Sequence, residues 1–73
     1  MKNKIVEIMS NIFECDPSEI SDKTSSDDID TWDSLNHLDL ITALEEEFNV
    51  TFDFEEIEEM LNLELIFLIL KDK

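Results

Sequence analysis

Apolar residues recur at helical spacing near the start of the chain. Ile5, Ile8, Met9 and Ile12 stand three or four residues apart, so a helix places them on one face. This pattern predicts a helix over residues 4–13 with that face buried. Three later segments carry comparable signals. Together they predict an all-α protein, a small four-helix bundle without strands.

A long polar connection is expected between helices one and two. Pro17 lacks an amide hydrogen and disfavours a helical backbone at the residue before it, so the first helix should end ahead of it. Residues 21–31 are mostly Ser, Thr, Asp and Lys without periodicity, which indicates a loop. We expect Ile20, Ile29 and Trp32 to pin this connection to the core.

The second helix has clear signals at both ends. Asp33 is a good N-cap, and the helix should end at Asn49, because asparagine tolerates the left-handed backbone that often follows a helix. Strong helix formers occupy residues 43–47. The apolar residues at helical spacing are Leu35, Leu38, Leu40, Ile41, Leu44 and Phe48.

Two shorter helices complete the bundle. Asp53 can cap a third helix over residues 55–61, and Asn62 can cap a fourth over residues 63–70. The expected inward stripe of the fourth helix is Leu63, Ile66, Phe67 and Leu70.

The fourth helix carries more apolar residues than one inward stripe needs. Leu65, Leu68 and Ile69 are left over. Either they form a surface for self-association or a partner, or the helix is rotated so that some of them pack inward. The sequence leaves both interpretations open.

The composition is strongly acidic and contains no glycine. There are 20 Asp and Glu residues against 5 Lys, and the formal charge of -15 disfavours nucleic acid and favours basic proteins as partners. The lack of glycine excludes glycine-rich phosphate loops. The 73 residues fit one domain, 1–73, and the 42% of hydrophobic residues predict that it folds.

The sequence indicates neither a membrane span nor a secretory signal. The longest apolar run is only residues 65–70, whereas a spanning helix needs about twenty residues. Cys15 is the single cysteine, so no internal disulfide can form, and Glu7 interrupts the apolar pattern near the amino terminus. We predict a cytoplasmic location.

No catalytic residue and no metal site are predicted. Ser34 and His37 stand three residues apart, but a serine hydrolase also needs an orienting acid and an oxyanion hole, and the glycine-flanked elbow is absent. One His and one Cys cannot form a closed zinc site. We therefore expect His37 on the surface. Cys15 should be a small packing residue, its thiolate disfavoured by Glu14 and Asp16.

The segment 32–38, with the sequence WDSLNHL, resembles the corresponding part of an acyl carrier protein. The order of helices and the long first connection match that family as well. The resemblance is closer to the free-standing carriers of specialised bacterial pathways than to the housekeeping fatty-acid type. It covers nearly the whole chain.

The resemblance implies that Ser34 is the attachment point of 4'-phosphopantetheine, whose thiol carries an acyl group as a thioester. The pathway would be fatty-acid, polyketide or related specialised biosynthesis. The implied partners are a phosphopantetheinyl transferase (holo-synthase) and acyl-loading or acyl-transfer enzymes with basic surfaces. Physical chemistry agrees, because the first turn of a helix favours an anion such as a phosphodiester.

The resemblance also implies a partner-binding face around Ser34. Asn36 and Thr42 stand where many carriers have an acid and a methionine, so partner choice should differ from the housekeeping type. Ile57 and Ile66 stand where family members often have alanine, so a long acyl chain should fit poorly. The implied partner-binding residues are Asp33, Leu35, Asn36, Leu38, Asp39, Thr42, Glu45 and Glu46.

An alternative from another class is an acidic helical adaptor that binds a basic protein and is never modified. The negative charge of such an adaptor would attract a basic partner, as it would in a carrier protein. Ser34 would then be an ordinary polar residue in the first turn of a helix. Incubation with coenzyme A and a transferase separates the two hypotheses.

Overall fold

The computed structural model describes residues 2–73 and contains four α-helices, as the sequence predicts. These are α1 (Lys2–Phe13), α2 (Ser34–Phe48), α3 (Phe54–Glu59) and α4 (Leu63–Lys71), with a short 3-10 turn at Pro17–Glu19 between α1 and α2. The extended pairing among these residues is one isolated bridge, between Ser25 and Asn62.

The three predicted N-caps are present. Asp33 accepts a hydrogen bond from the Asn36 amide at 2.8 Å, which satisfies a donor that the first turn leaves unpaired. Asn62 caps α4 in the same way, through the amide of Leu65 at 2.8 Å. Asp53 forms a complete capping box with Glu56 at the start of α3.

Left-handed residues end the two longer helices. Asn49 has φ 54°, as its residue type predicts, and its amide bonds back to the Glu45 carbonyl. Glu14 has the same φ at the end of α1, and the Cys15 amide bonds to the Ser10 carbonyl at 3.2 Å. The first helix therefore ends in its own left-handed cap, ahead of the expected stop at Pro17.

Two predicted helix boundaries are wrong by two residues, and two others by one. Helix α1 begins at Lys2, two residues earlier than its apolar pattern indicates. The first turn of a helix can consist of polar residues, so an apolar pattern does not mark its start. Helix α3 is shorter than predicted and ends at Glu59. The next residue, Met60, leaves the helical conformation and is completely buried.

The core is built mainly by α1, α2 and α4, together with anchors from the connections. Helix α3 has no fully buried residue. Of the residues expected to pin the first connection, Ile20 and Trp32 are buried and Ile29 packs partly against the core. The buried apolar residues are Ile5, Met9, Phe13, Ile20, Trp32, Leu40, Ile41, Leu44, Phe52, Met60, Leu63, Ile66 and Leu70.

The three apolar residues of α4 outside its predicted inward stripe do not all lie on the same side of the helix. Ile69 packs partly against the core, whereas Leu65 and Leu68 keep 39% and 38% of their surface exposed. Phe67, expected in the inward stripe, is half-buried. Nowhere in residues 2–73 is a helix both long enough and apolar enough to cross a bilayer.

Candidate functional site

Ser34 is the first residue of the 15-residue helix α2, and its side chain is exposed. The sequence places it there because the preceding aspartate is the cap, so the helix begins with the serine. The amide groups of a first turn and the helix dipole make this position favourable for a negative charge. A phosphate ester on Ser34 would meet that environment.

A groove of about 210 Å³ opens beside Ser34. Its walls are both polar and apolar: they include serine hydroxyls, a carboxylate, an imidazole, an indole and a leucine side chain. The lining residues are Ser26, Trp32, Asp33, Ser34, His37 and Leu61.

Backbone contacts between distant segments close one side of this groove. The Ser26 amide bonds to the Leu61 carbonyl at 3.0 Å, next to the bridge between Ser25 and Asn62. The first connection is therefore held against the junction of α3 and α4. Sequence analysis missed Ser26 and Leu61 as site residues, because no local signal marks a contact across 35 positions of the chain.

His37 is not the solvated surface residue that was expected. Its ring is half-buried and makes two hydrogen bonds. The Trp32 indole nitrogen Nε1 donates to His37 Nδ1 at 3.0 Å, and His37 Nε2 lies 2.8 Å from the Ile57 carbonyl oxygen. Because the indole can only donate, Nδ1 must accept, so the ring proton is on Nε2 and is donated to Ile57. The prediction failed because both contacts depend on tertiary structure.

Trp32 is a core residue, as predicted, and also forms a wall of the groove. Its ring stacks on Phe13 with 4.7 Å between centroids and lies 6.1 Å from the His37 ring. The indole thus connects the core to the site beside Ser34. Its bond to His37 could have been suspected only from the short spacing of the two aromatic rings along the chain.

Most of the predicted partner-binding residues lie on one outer face of α2. Leu35 and Leu38 have 70% and 54% of their surface exposed. Six of these residues form a surface that we call the α2 outer face. All six are exposed, and those after the cap stand mostly three or four residues apart. They are Asp33, Leu35, Leu38, Asp39, Thr42 and Glu46.

The two remaining predicted contacts are engaged inside the protein. Asn36 is half-buried, and its side-chain amide donates to the Thr31 carbonyl at 2.7 Å. Glu45 is half-buried, and its carboxylate accepts from the Phe52 amide at 2.9 Å. Both side chains hold neighbouring loops against α2, a role that the sequence analysis did not foresee.

Cys15 packs partly against the core, as expected. Burial raises the pKa of its thiol, and the carboxylates of Glu19 and Asp16 raise it further. The sequence predicted that Glu14 would disfavour the thiolate together with Asp16. In the structure the second carboxylate is that of Glu19, which the 3-10 turn brings near Cys15. A raised pKa disfavours the thiolate, so this cysteine is a poor nucleophile. Within residues 2–73 no group of three or more potential ligand side chains is arranged to hold a metal ion.

Comparisons with known proteins point to one family. The family model described as "Phosphopantetheine attachment site" matches residues 3–66. The chain is 31% identical over 71 residues to the polyketide-8 synthase acyl carrier protein 1 of Streptomyces avermitilis, covering 97% of this chain and 84% of that protein. It is 37% identical over 71 residues to an acyl carrier protein of Petrotoga mobilis, covering 96% and 82% respectively.

A solved structure agrees with these relatives. The solution NMR structure of holo acyl carrier protein from Geobacter metallireducens superposes with a TM-score of 0.87 at 29% sequence identity. The match covers 99% of this chain and 83% of that one.

Proposed function

The chain belongs to the acyl carrier protein family, whose cofactor is 4'-phosphopantetheine, and we propose that Ser34 is the residue to which this group is attached. Members of the family carry acyl groups for other enzymes and are not catalysts themselves. When bound, the group supplies a terminal thiol that holds the acyl group as a thioester.

The observation that carries the assignment is the position of Ser34 at the exposed start of α2, beside the groove. A transferase must reach the serine oxygen from solution, and the side chain is accessible. The phosphate would sit where helix amides and the dipole favour an anion. The groove offers both polar and apolar walls, which fit an arm that contains amides and methylene groups.

The partners in this proposal are a phosphopantetheinyl transferase and acyl-loading or acyl-transfer enzymes with basic surfaces. The α2 outer face supports this part, because it places Asp33, Asp39 and Glu46 around two exposed leucines next to Ser34. Carboxylates of this kind steer a basic enzyme toward the site, and the leucines supply apolar contact area.

For the pathway we propose specialised biosynthesis, with polyketide assembly as one such class. One of the relatives is named for a polyketide synthase, and the other carries only the family name. Thr42, which departs from the common pattern of the family and lies on the α2 outer face, favours partners other than those of the housekeeping carrier. The cytoplasmic location remains a prediction from the sequence.

Mass spectrometry of the intact protein tests the attachment residue. After incubation with coenzyme A and a broad-specificity transferase, the parent should gain one phosphopantetheine, and Ser34→Ala should gain none because the acceptor oxygen is gone. Ser34 is exposed, so the variant should keep its stability to within about 0.5 kcal/mol.

Ser26→Ala is the matched control, because Ser26 lines the same groove. This variant should be modified like the parent. Modification of Ser34→Ala would overturn the assignment to Ser34. A folded parent that gains no mass would instead favour the unmodified acidic adaptor.

A further inference from the structure

The ring of His37 bonds to one wall of the groove beside Ser34 and to the helix that leads into another. One nitrogen holds the indole of Trp32, and the other holds the backbone of α3 at Ile57. We propose that His37 is a positioning residue, which fixes the shape of the groove so that the arm transferred to Ser34 enters it in one orientation. This inference rests on the proposed function of Ser34.

The first wall is the indole of Trp32. Its ring is buried and stacks on Phe13. The hydrogen bond from Nε1 to His37 fixes the orientation of the indole within that stack, since donor and acceptor must stay aligned. The side chain two residues before Ser34 therefore has one defined position.

The second wall depends on where α3 ends. Ile57 lies in the last turn of α3, and the chain then passes through Met60 to Leu61, which lines the groove. The bond from His37 to the Ile57 carbonyl fixes the start of that path. The other polar side-chain contacts between α3 and the rest of the chain are at its amino-terminal half, where Lys73 meets Glu56.

The two nitrogens of His37 can be tested separately by substitution. Asparagine places a carbonyl oxygen near the position of Nδ1, so His37→Asn keeps an acceptor for Trp32 and loses the donor to Ile57. Glutamine reaches the position of Nε2, so His37→Gln keeps the donor to Ile57 and loses the acceptor. His37→Leu removes both bonds and keeps an apolar side chain of moderate size.

Transferase kinetics with coenzyme A give the decisive measurement, at a temperature where each variant is folded. Docking uses the α2 outer face, so KM for the carrier should stay unchanged, whereas kcat should fall because the arm meets a misplaced groove. Each lost hydrogen bond should reduce kcat about fivefold, and His37→Leu should be the slowest. Ile5→Val is the control, because it weakens the core in α1 away from the groove and should alter neither constant.

The single tryptophan supplies a spectroscopic signature of the bridge. In proton–nitrogen NMR spectra the indole N–H should keep slow exchange with solvent in His37→Asn and lose it in His37→Gln and His37→Leu. A role in stability alone would lower Tm and leave kcat of the folded variants unchanged.

The outcomes separate this inference from the function on which it rests. If the parent is not modified, the proposed function and the positioning role both fail. If the parent is modified and the folded His37 variants match its kcat within about twofold, only the positioning role fails. If His37→Leu does not fold, His37→Asn and His37→Gln decide the question, and a parent-like kcat in both overturns the proposal.

Discussion

Helix α4 buries Leu63, Ile66 and Leu70 in the core, whereas α3, which precedes it, has no fully buried residue. The two helices are short neighbours, with nine and six residues. Helix α4 is held mainly by apolar surface removed from water. Such stabilisation grows with buried area and needs no exact geometry.

Helix α3 is held largely by polar contacts at its edges. The Lys73 ammonium lies 2.6 Å from the Glu56 carboxylate, and His37 bonds to the Ile57 carbonyl. Water can replace such contacts at little cost, so α3 should open locally before α4 does. Helix α3, which leads into the groove residue Leu61, is therefore held with no fully buried residue of its own.

The largest expected difference between the two helices comes from truncating one isoleucine in each of them to alanine. Ile66→Ala should lower the free energy of unfolding by about 2–5 kcal/mol, because Ile66 is completely buried and its loss leaves a cavity. Ile57→Ala should cost only about 1 kcal/mol, because Ile57 is half-buried. Urea unfolding of both variants measures the difference. Equal losses would contradict the contrast between the helices.

A smaller effect is expected on the outer side of α4. Leu68→Glu should cost at most about 1 kcal/mol, because the side chain already meets water. Leu63→Glu is the matched control, and it should unfold the protein, because its carboxylate would be buried without a partner. Thermal unfolding compares the two.

Sedimentation of the same Leu68→Glu variant tests whether α4 mediates self-association, which remains a prediction. An association surface requires the parent to sediment as a larger species than the variant at the same concentration. A parent that is already monomeric at high concentration removes the association surface and leaves Leu65 and Leu68 as ordinary exposed residues.

The smallest expected effect concerns the ion pair that ties α3 to the carboxyl end of the chain. The hydrogen bond from Lys73, followed by that from the Asp53 amide, holds the pKa of Glu56 below its usual value of 4.5. A folded-state pKa below the unfolded one adds stability above that usual value, and this stability is lost as pH falls through the lowered pKa.

Glu56→Gln should therefore melt below the parent at neutral pH, and the gap in Tm should close as the pH falls below 4.5 and through the lowered pKa of Glu56. Glu58→Gln, at an exposed position of the same helix, is the control and should show a smaller gap. A gap for Glu56→Gln that does not change with pH would show that the ion pair does not contribute to the position of α3.

The sequence by itself determined the helices and the place of Ser34. The caps Asp33, Asp53 and Asn62 act on amides three residues away, and Asn49 ends α2 through its own backbone conformation. Each of these capping interactions joins residues within one turn of helix, so the local sequence is enough to predict it. The exposed serine at the head of α2 follows directly.

Only the tertiary structure decided what surrounds that serine. The bond from His37 to Ile57 spans 20 positions, and that from the Phe52 amide to the Glu45 carboxylate joins a loop to a helix. Periodicity also left the rotation of α4 open, because it defines the angles between side chains but not the direction of the core. Ile69 packs inward and Leu68 outward for the same reason that His37 is half-buried: each depends on where folding brings the other helices.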